Sequence, residues 1–238
     1  MPTAYSAPEL NPALDRVLLA EAFQRSGRIH IPSVLTPASA ARLFRALENE
    51  TPWTVTLNNG SDIQDFISTP RERERISVAA WARARSGFQF LHDHHLLSHK
   101  GEPYRDPRHY FADLVGFLNS PAVLAFLREV TGANAISWMN AQATLYRPGD
   151  FLTVHDDLHN EHNRLVAFVL NMTPQWQPDW GGVLQFFDTP GHIEEGYLPT
   201  FNALNLFRVP TAHSVSQVAM FGGLRYSVTG WYHAPDTN

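Results

Sequence analysis

Beyond Gly132 the sequence is a succession of short strands, and that run most restricts what the chain can fold into. Alternating apolar positions with β-branched and aromatic residues mark segments at about 135–147, 151–157, 164–172, 183–188, 201–208, 212–218 and 224–233. Pro, Gly, Asn or Asp turns separate them, and no helical spacing intervenes. Strands in that pattern close into a sandwich or a barrel.

The first 132 residues read differently. Helical spacing over about 13–26 ends at Gly27, and Thr36 with Pro37 opens a helix to about Leu47. A third helix starts at Pro70 in PRERERISVAAWARA, a fourth at Asp106 or Pro107 running to Asn119, and a fifth at Ser120-Pro121, closed by Gly132. RIHIP, WTVTLN and GFQFLHDHHLL read as strands, with a turn at the Asn-Asn-Gly after Leu57. The expectation is a mainly β protein with covering helices. It forms a single domain over 1–238, in which 1–132 cover and 133–238 form the core.

Composition narrows the chemistry. Without cysteine there is no Cys–zinc site, iron–sulfur cluster, disulfide or cysteine nucleophile. A net charge of -5 argues against direct nucleic-acid binding. No run of 18 apolar residues offers a membrane span, and the start lacks a basic region followed by an apolar one. A soluble protein of the cytoplasm is expected. Dinucleotide, P-loop and nucleophile-elbow signatures (GxGxxG, GxxxxGK[ST], GxSxG) are missing from the sequence.

The chemistry concentrates in TLYRPGDFLTVHDD, residues 144–157. His155 and Asp157 lie two apart, so an extended strand presents both on one face as a clamp for a divalent metal. A second His-x-acid pair, His192-x-Glu194, sits among Pro190, Gly191 and Gly196 in what reads as a surface loop. His213, at the start of HSVSQVAM, is the candidate third ligand. GGLRYSVTGWY reads as the returning arm of a hairpin, carrying Arg225 and Ser227 on one face. Two His and one carboxylate suit non-haem Fe(II) and also catalytic zinc. A nearby Arg fork with a Ser hydroxyl suits the far carboxylate of a five-carbon diacid chelating the metal, which favours iron. On the strand before the turn, Trp138, Asn140, Gln142, Thr144 and Tyr146 share one face, expected to line a cavity. Met139, Ala141, Ala143 and Leu145 form the other, expected to pack under the helices. His92–His95, Trp53, Trp81, His159 and His162 could rim the cavity mouth, the RERER run could form a lid, and Arg147 and Asn205 are candidates by position alone. Each has packing or a solvated loop as its commoner explanation.

HDD, the distant His213 and RYS together resemble the HxD…H…RxS pattern of 2-oxoglutarate/Fe(II)-dependent dioxygenases. FLNSPAVLAFLREVTG, LYRPGDFLTVHDD, LVAFVLNMTPQWQPDWGGVLQFFD and SVTGWYH resemble the prolyl 4-hydroxylase-like branch, and within it the ribosomal prolyl hydroxylases, over roughly residues 80–235. The resemblance implies a double-stranded β-helix (a jelly roll, cupin-like). It implies iron on His155, Asp157 and His213, and 2-oxoglutarate held by Arg225 with Tyr146 and Ser227. O2 would be the oxidant, ascorbate a further small molecule, and a prolyl residue of a protein the site of hydroxylation. The alternatives are a hydroxylase of a free amino acid or other small molecule, a zinc hydrolase, and a non-catalytic metal-binding barrel. Because the eukaryotic relatives carry a second, degenerate barrel, the resemblance does not carry their substrate over.

Overall fold

A computed structural model describes residues 7–58, 63–158 and 163–235. His159 and His162, and most of the turn after Leu57, lie outside the described residues. In chain order the elements begin with α1 (Arg16–Ser26), β1 (Arg28–Ile31), α2 (Pro37–Asn49), β2 (Thr54–Asn58), β3 (Ile63–Ile67) and α3 (Pro70–Arg83). They continue with β4 (Phe90–Ser98), α4 (Tyr110–Leu118), α5 (Pro121–Thr131), β5 (Trp138–Tyr146), β6 (Phe151–His155) and β7 (Arg164–Asn171). The chain then closes with β8 (Leu184–Phe187), β9 (Ile193–Tyr197), β10 (Ala203–Arg208), β11 (His213–Val215) and β12 (Arg225–His233).

Local chemistry sets the helix limits. Asp15 accepts from the Val17 and Leu18 amides and starts α1 three residues later than spacing alone suggests. Gly27 ends it in the left-handed region at φ 71°. Thr36, Thr69 and Ser120 cap α2, α3 and α5, each followed by Pro at the first helical position. His109 caps α4, so that helix begins at Tyr110 rather than at Asp106. Among the described residues no single helix is long and apolar enough to cross a membrane.

The strands form one antiparallel path, β1-β10-β7-β12-β5-β4-β6-β11-β8-β9, with β2 and β3 attached beside β4. This is the double-stranded β-helix: β12 lies at the centre of one wall, between β5 and β7, and β6-β11-β8-β9 form the opposite wall. The ends of the path meet. Arg28 on β1 donates to Glu194 at 2.7 Å and Glu195 at 2.6 Å, both on β9, and lies over the Phe186 ring of β8. Helices cover the outer face of the larger wall, where Met139, Ala141, Ala143, Leu145, Val228 and Tyr232 join the main apolar core. Gly230 is required in that wall, since a Cβ there would lie 2.0 Å from the Asn140 carbonyl oxygen.

Three readings of the sequence change. β3 and β9 are strands that exposed, charged segments concealed, and β9 replaces the expected loop after His192. β11 and β12 are not arms of one hairpin. β11 pairs with β6 and β8 while β12 pairs with β5 and β7, so residues 216–224 cross between the walls. The RERER run is anchored rather than lid-like. Arg73 bonds Asp150 at 2.6 and 2.7 Å and pairs with Asp93, while Arg147 reaches Asp93 at 2.6 Å.

That quartet fastens α3 and β4 to the turn between β5 and β6, where Asp150 also accepts from the Arg147 amide at 2.9 Å. Burial pushes the Asp150 carboxyl up to about 7 against the pull of Arg73. Replacing Arg73 by Met strands the buried Asp150 carboxylate, while Asp93 keeps Arg147, and is expected to cost about 3–5 kcal/mol in chemical denaturation at pH 8. The cost should shrink at pH 6, where an unpaired Asp150 takes up a proton that the unfolded chain does not bind. A loss independent of pH would show that Asp150 is not the stranded group.

Candidate active site

The walls of the barrel bring together what the sequence scatters. β6 and β11 pair so that His155 stands opposite His213, with ring centroids 4.1 Å apart. Asp157 reaches the same point by a different route from the one expected. The strand ends at His155, and Asp157 adopts φ 64°, which turns its carboxylate back between the two imidazoles. Arg164 fixes that turn: it donates to the Asp157 carbonyl at 3.0 Å and lies 3.9 Å over the Trp231 ring. Asp156 instead accepts from the Leu158 amide at 3.0 Å.

His155 Nε2 lies 3.2 Å from one Asp157 oxygen and His213 Nε2 lies 3.4 Å from the other. Ligands about 2.1 Å from a metal at right angles are about 3 Å apart, so the spacing suits three adjacent corners of one coordination sphere. Both Nδ1 atoms face backbone carbonyls, His155 that of Thr153 at 3.0 Å and His213 that of Thr211 at 2.8 Å. With Nδ1 as donor, each Nε2 presents a lone pair to the common point. Burial pushes His213 down to about 4, so it is neutral. Burial alone would raise Asp157, but hydrogen bonding to His155 and the nearby His213 hold it below the ordinary carboxylate range. Two imidazoles and one carboxylate at this spacing fit a divalent ion. Among the described residues this is the one such group.

Across the cavity lies Arg225, 1% exposed, whose Nε and Nη1 meet no hydrogen-bond partner among the described residues. It pairs in register with Tyr146, and its guanidinium carbon sits 4.9 Å from that ring. Burial lowers the guanidinium pKa and raises that of the Tyr146 phenol, leaving a protonated cation and a neutral hydroxyl. A buried cation without a counter-ion awaits an anion from outside the chain. The donor set fits a ligand carboxylate.

The cavity between these poles has a volume of about 490 Å³. Gln142, Thr144 and Tyr146 line it from β5, Phe90, His92 and His94 from β4, and Phe88 from the segment just before β4. Ser227 stands differently from the resemblance. It lies on the same face of β12 as Arg225 but is fully buried, its hydroxyl 2.7 Å from that of Thr144, and Thr144 is the one that lines the cavity. Trp53 packs on Tyr226, and Trp81 donates to the Gly149 carbonyl at 3.1 Å. Asn205 is buried against His30, and Arg147 serves Asp93. His95 bonds Tyr104, behind the wall. Arg164 and Trp231 were absent from the sequence-level candidates. The signal available was that Trp231 continues the alternating face of β12 from Arg225.

Residues 141–233, which contain the metal triad, Tyr146 and Arg225, match the model of the 2OG-Fe(II) oxygenase superfamily. That match spans the β core of this chain. Among curated proteins it is similar to mouse prolyl 3-hydroxylase OGFOD1, 31% identical over 118 residues, covering 47% of this chain and 21% of the relative. The Xenopus laevis prolyl 3-hydroxylase OGFOD1 is 27% identical over 177 residues, 71% of this chain and 32% of the relative. The matched region is thus under a third of those relatives' length in the mouse protein and about a third in the Xenopus one. In fold the chain is similar to a Trichoplax adhaerens prolyl hydroxylase solved with a hypoxia-inducible-factor peptide (TM-score 0.63, 17% identity, 92% of this chain and 89% of that one). It is also similar to a Pseudomonas putida prolyl-4-hydroxylase (TM-score 0.58, 19% identity, 92% and 99%).

Asp157→Ala is expected to weaken Mn(II) binding by more than about 100-fold in titration calorimetry while the protein stays folded by circular dichroism. Unchanged Mn(II) affinity would remove Asp157 from the metal site.

Proposed function

We propose that this protein is an Fe(II)- and 2-oxoglutarate-dependent dioxygenase that hydroxylates a C–H bond of a prolyl residue in a protein or peptide. The observation that carries the reading is the pairing of a His–Asp–His triad with a buried Arg225, whose Nε and Nη1 meet no hydrogen-bond partner among the described residues, across one cavity. Overall, 2-oxoglutarate, O2 and R–H give succinate, CO2 and R–OH, one oxygen atom entering each of succinate and the alcohol. Bound Fe(II) supplies the redox chemistry that links the decarboxylation to the hydroxylation.

The chain's own residues do the rest. His155, Asp157 and His213 would hold the ion from one side of the cavity. Arg225 and Tyr146 take the far carboxylate and so fix which end of the diacid reaches the metal. Trp231, Arg164, Phe88 and Leu152 line the cavity, which limits water at the reacting centre. Support for a protein substrate comes from the similarity to prolyl hydroxylases and from the cavity's rim. Ile63, Phe88 and Leu158 line it and are 67%, 46% and 65% exposed. The volume lies in the range of sites that hold more than one small acid. We also place ascorbate as the reductant that keeps the iron ferrous, and the cytoplasm as the setting, which the cysteine-free composition suits.

The expected result is 2-oxoglutarate-dependent release of succinate with Fe(II), and a +16 Da product on a proline-containing protein or peptide in mass spectrometry. Arg225→Leu should raise the KM for 2-oxoglutarate by roughly 100-fold or more. Hydroxylation of free amino acids with none of peptides would select the small-molecule alternative. Full zinc occupancy with hydrolysis and no response to 2-oxoglutarate would overturn the oxygenase reading.

A further inference from the structure

The run His92-Asp93-His94-His95 on β4 holds three histidines with three different fates. His95 faces the helices and bonds the Tyr104 hydroxyl at 2.9 Å. His94 faces the cavity but is satisfied on both sides, Nδ1 by Gln142 at 3.0 Å and Nε2 by Asp65 at 2.9 Å. His92 faces the same cavity two residues earlier and is 6% exposed. Among the described residues its Nδ1 meets no hydrogen-bond partner. A buried polar nitrogen left open carries an uncompensated desolvation cost, so a wall that holds one is shaped for a ligand or water.

Register says which ligand. Asp93 pairs with Leu145 and His94 with Thr144, which places His92 opposite Tyr146, and Tyr146 pairs with Arg225. His92, Tyr146 and Arg225 thus form one cross-strand row over β4, β5 and β12. The His92 ring centroid lies 5.0 Å from that of Tyr146, edge to face, and the Arg225 guanidinium carbon lies 4.9 Å from the same centroid. Phe90 stacks on the other side of His92 at 5.4 Å and 19°, which fixes the plane of the imidazole. Two donors flanking one carboxylate stand about 7–8 Å apart, a span that groups on either side of a single ring can meet.

We propose that His92 is a third anchor for the far carboxylate of 2-oxoglutarate, donating to it from the side opposite Arg225. The inference rests on the dioxygenase reading and adds to it a residue from outside the segment that matches the superfamily model. Burial, with His94 and Arg225 nearby, pushes His92 down to about 3, so it acts as a neutral donor. Stacking between Phe90 and Tyr146 holds it in place without an acceptor from the protein. It is a binding and positioning residue, and it sets which acids are accepted: a 2-oxo acid without the second carboxylate gains nothing from it.

The test measures binding to the full chain with Mn(II) in place of iron. His92→Phe keeps an aromatic ring between Phe90 and Tyr146 and removes the nitrogens. It should weaken 2-oxoglutarate binding roughly 10-fold or more in titration calorimetry, with Mn(II) affinity and the binding of 2-oxobutyrate unchanged. His92→Gln, which restores a donor, should recover binding to within about 3-fold of wild type. Equal weakening of 2-oxoglutarate and 2-oxobutyrate would mark a packing role and overturn the proposal, as would full affinity in His92→Phe. If Arg225→Leu loses 2-oxoglutarate while His92→Phe keeps it, only this inference fails. If wild type with Mn(II) binds no 2-oxoglutarate, the dioxygenase reading fails with it.

Discussion

A guanidinium sealed inside a barrel without a carboxylate to neutralise it is the constraint around which the rest of this structure is arranged. Transfer of a cation from water to such a site costs several kcal/mol, and among the described residues no hydrogen bond to Nε or Nη1 offsets that at Arg225. The site is tolerated because the strand that carries it is held on both sides. β12 pairs along its whole length with β5 and along most of it with β7, and helices cover its outer face. Gly230 lets that strand approach β5 more closely than any side chain would allow. The rigidity has a chemical purpose: a diacid that enters finds its anchor already formed and loses little in ordering it.

The opposite pole is built on another economy of structure. Two short strands, β6 and β11, place two imidazoles face to face, and one residue in the left-handed region inserts a carboxylate between them. Arg164 and Trp231 hold that unusual backbone, and carbonyls at Thr153 and Thr211 set both tautomers. The metal site therefore depends on backbone register at one ligand pair and on a single turn at the third. The Arg73–Asp93–Arg147–Asp150 quartet supports both poles, because the turn it fastens joins the strand of Tyr146 to the strand of His155.

Much of this was legible before any coordinates. The alternation on β5 separates Gln142, Thr144 and Tyr146 from Ala141, Ala143 and Leu145, and the cavity and the helices divide them along that line. Caps and prolines locate the starts of α2, α3 and α5, whereas α1 starts three residues after its spacing suggests and α4 begins later because His109, not Asp106, caps it. What stayed hidden was long-range. A hairpin is the simplest link between neighbouring strands, so HSVSQV and RYSVTG read as partners, yet each pairs with earlier strands and faces the other across the interior. β9 carries Glu194 and Glu195 toward Arg28 on β1, a pairing across the closing seam that local sequence does not announce. His92, His94 and His95 look alike in sequence, and only burial and partners tell them apart.

The account's central claim is that one cavity holds a metal at His155, Asp157 and His213 and a dicarboxylate that spans from it to Arg225. Crystals grown without oxygen in Mn(II) and 2-oxoglutarate test it most directly. The predicted result is an anomalous peak between the two Nε2 atoms and the Asp157 carboxylate, with continuous density for the acid ending at the Arg225 guanidinium. Metal bound elsewhere, or an acid whose far carboxylate turns away from Arg225, would contradict it.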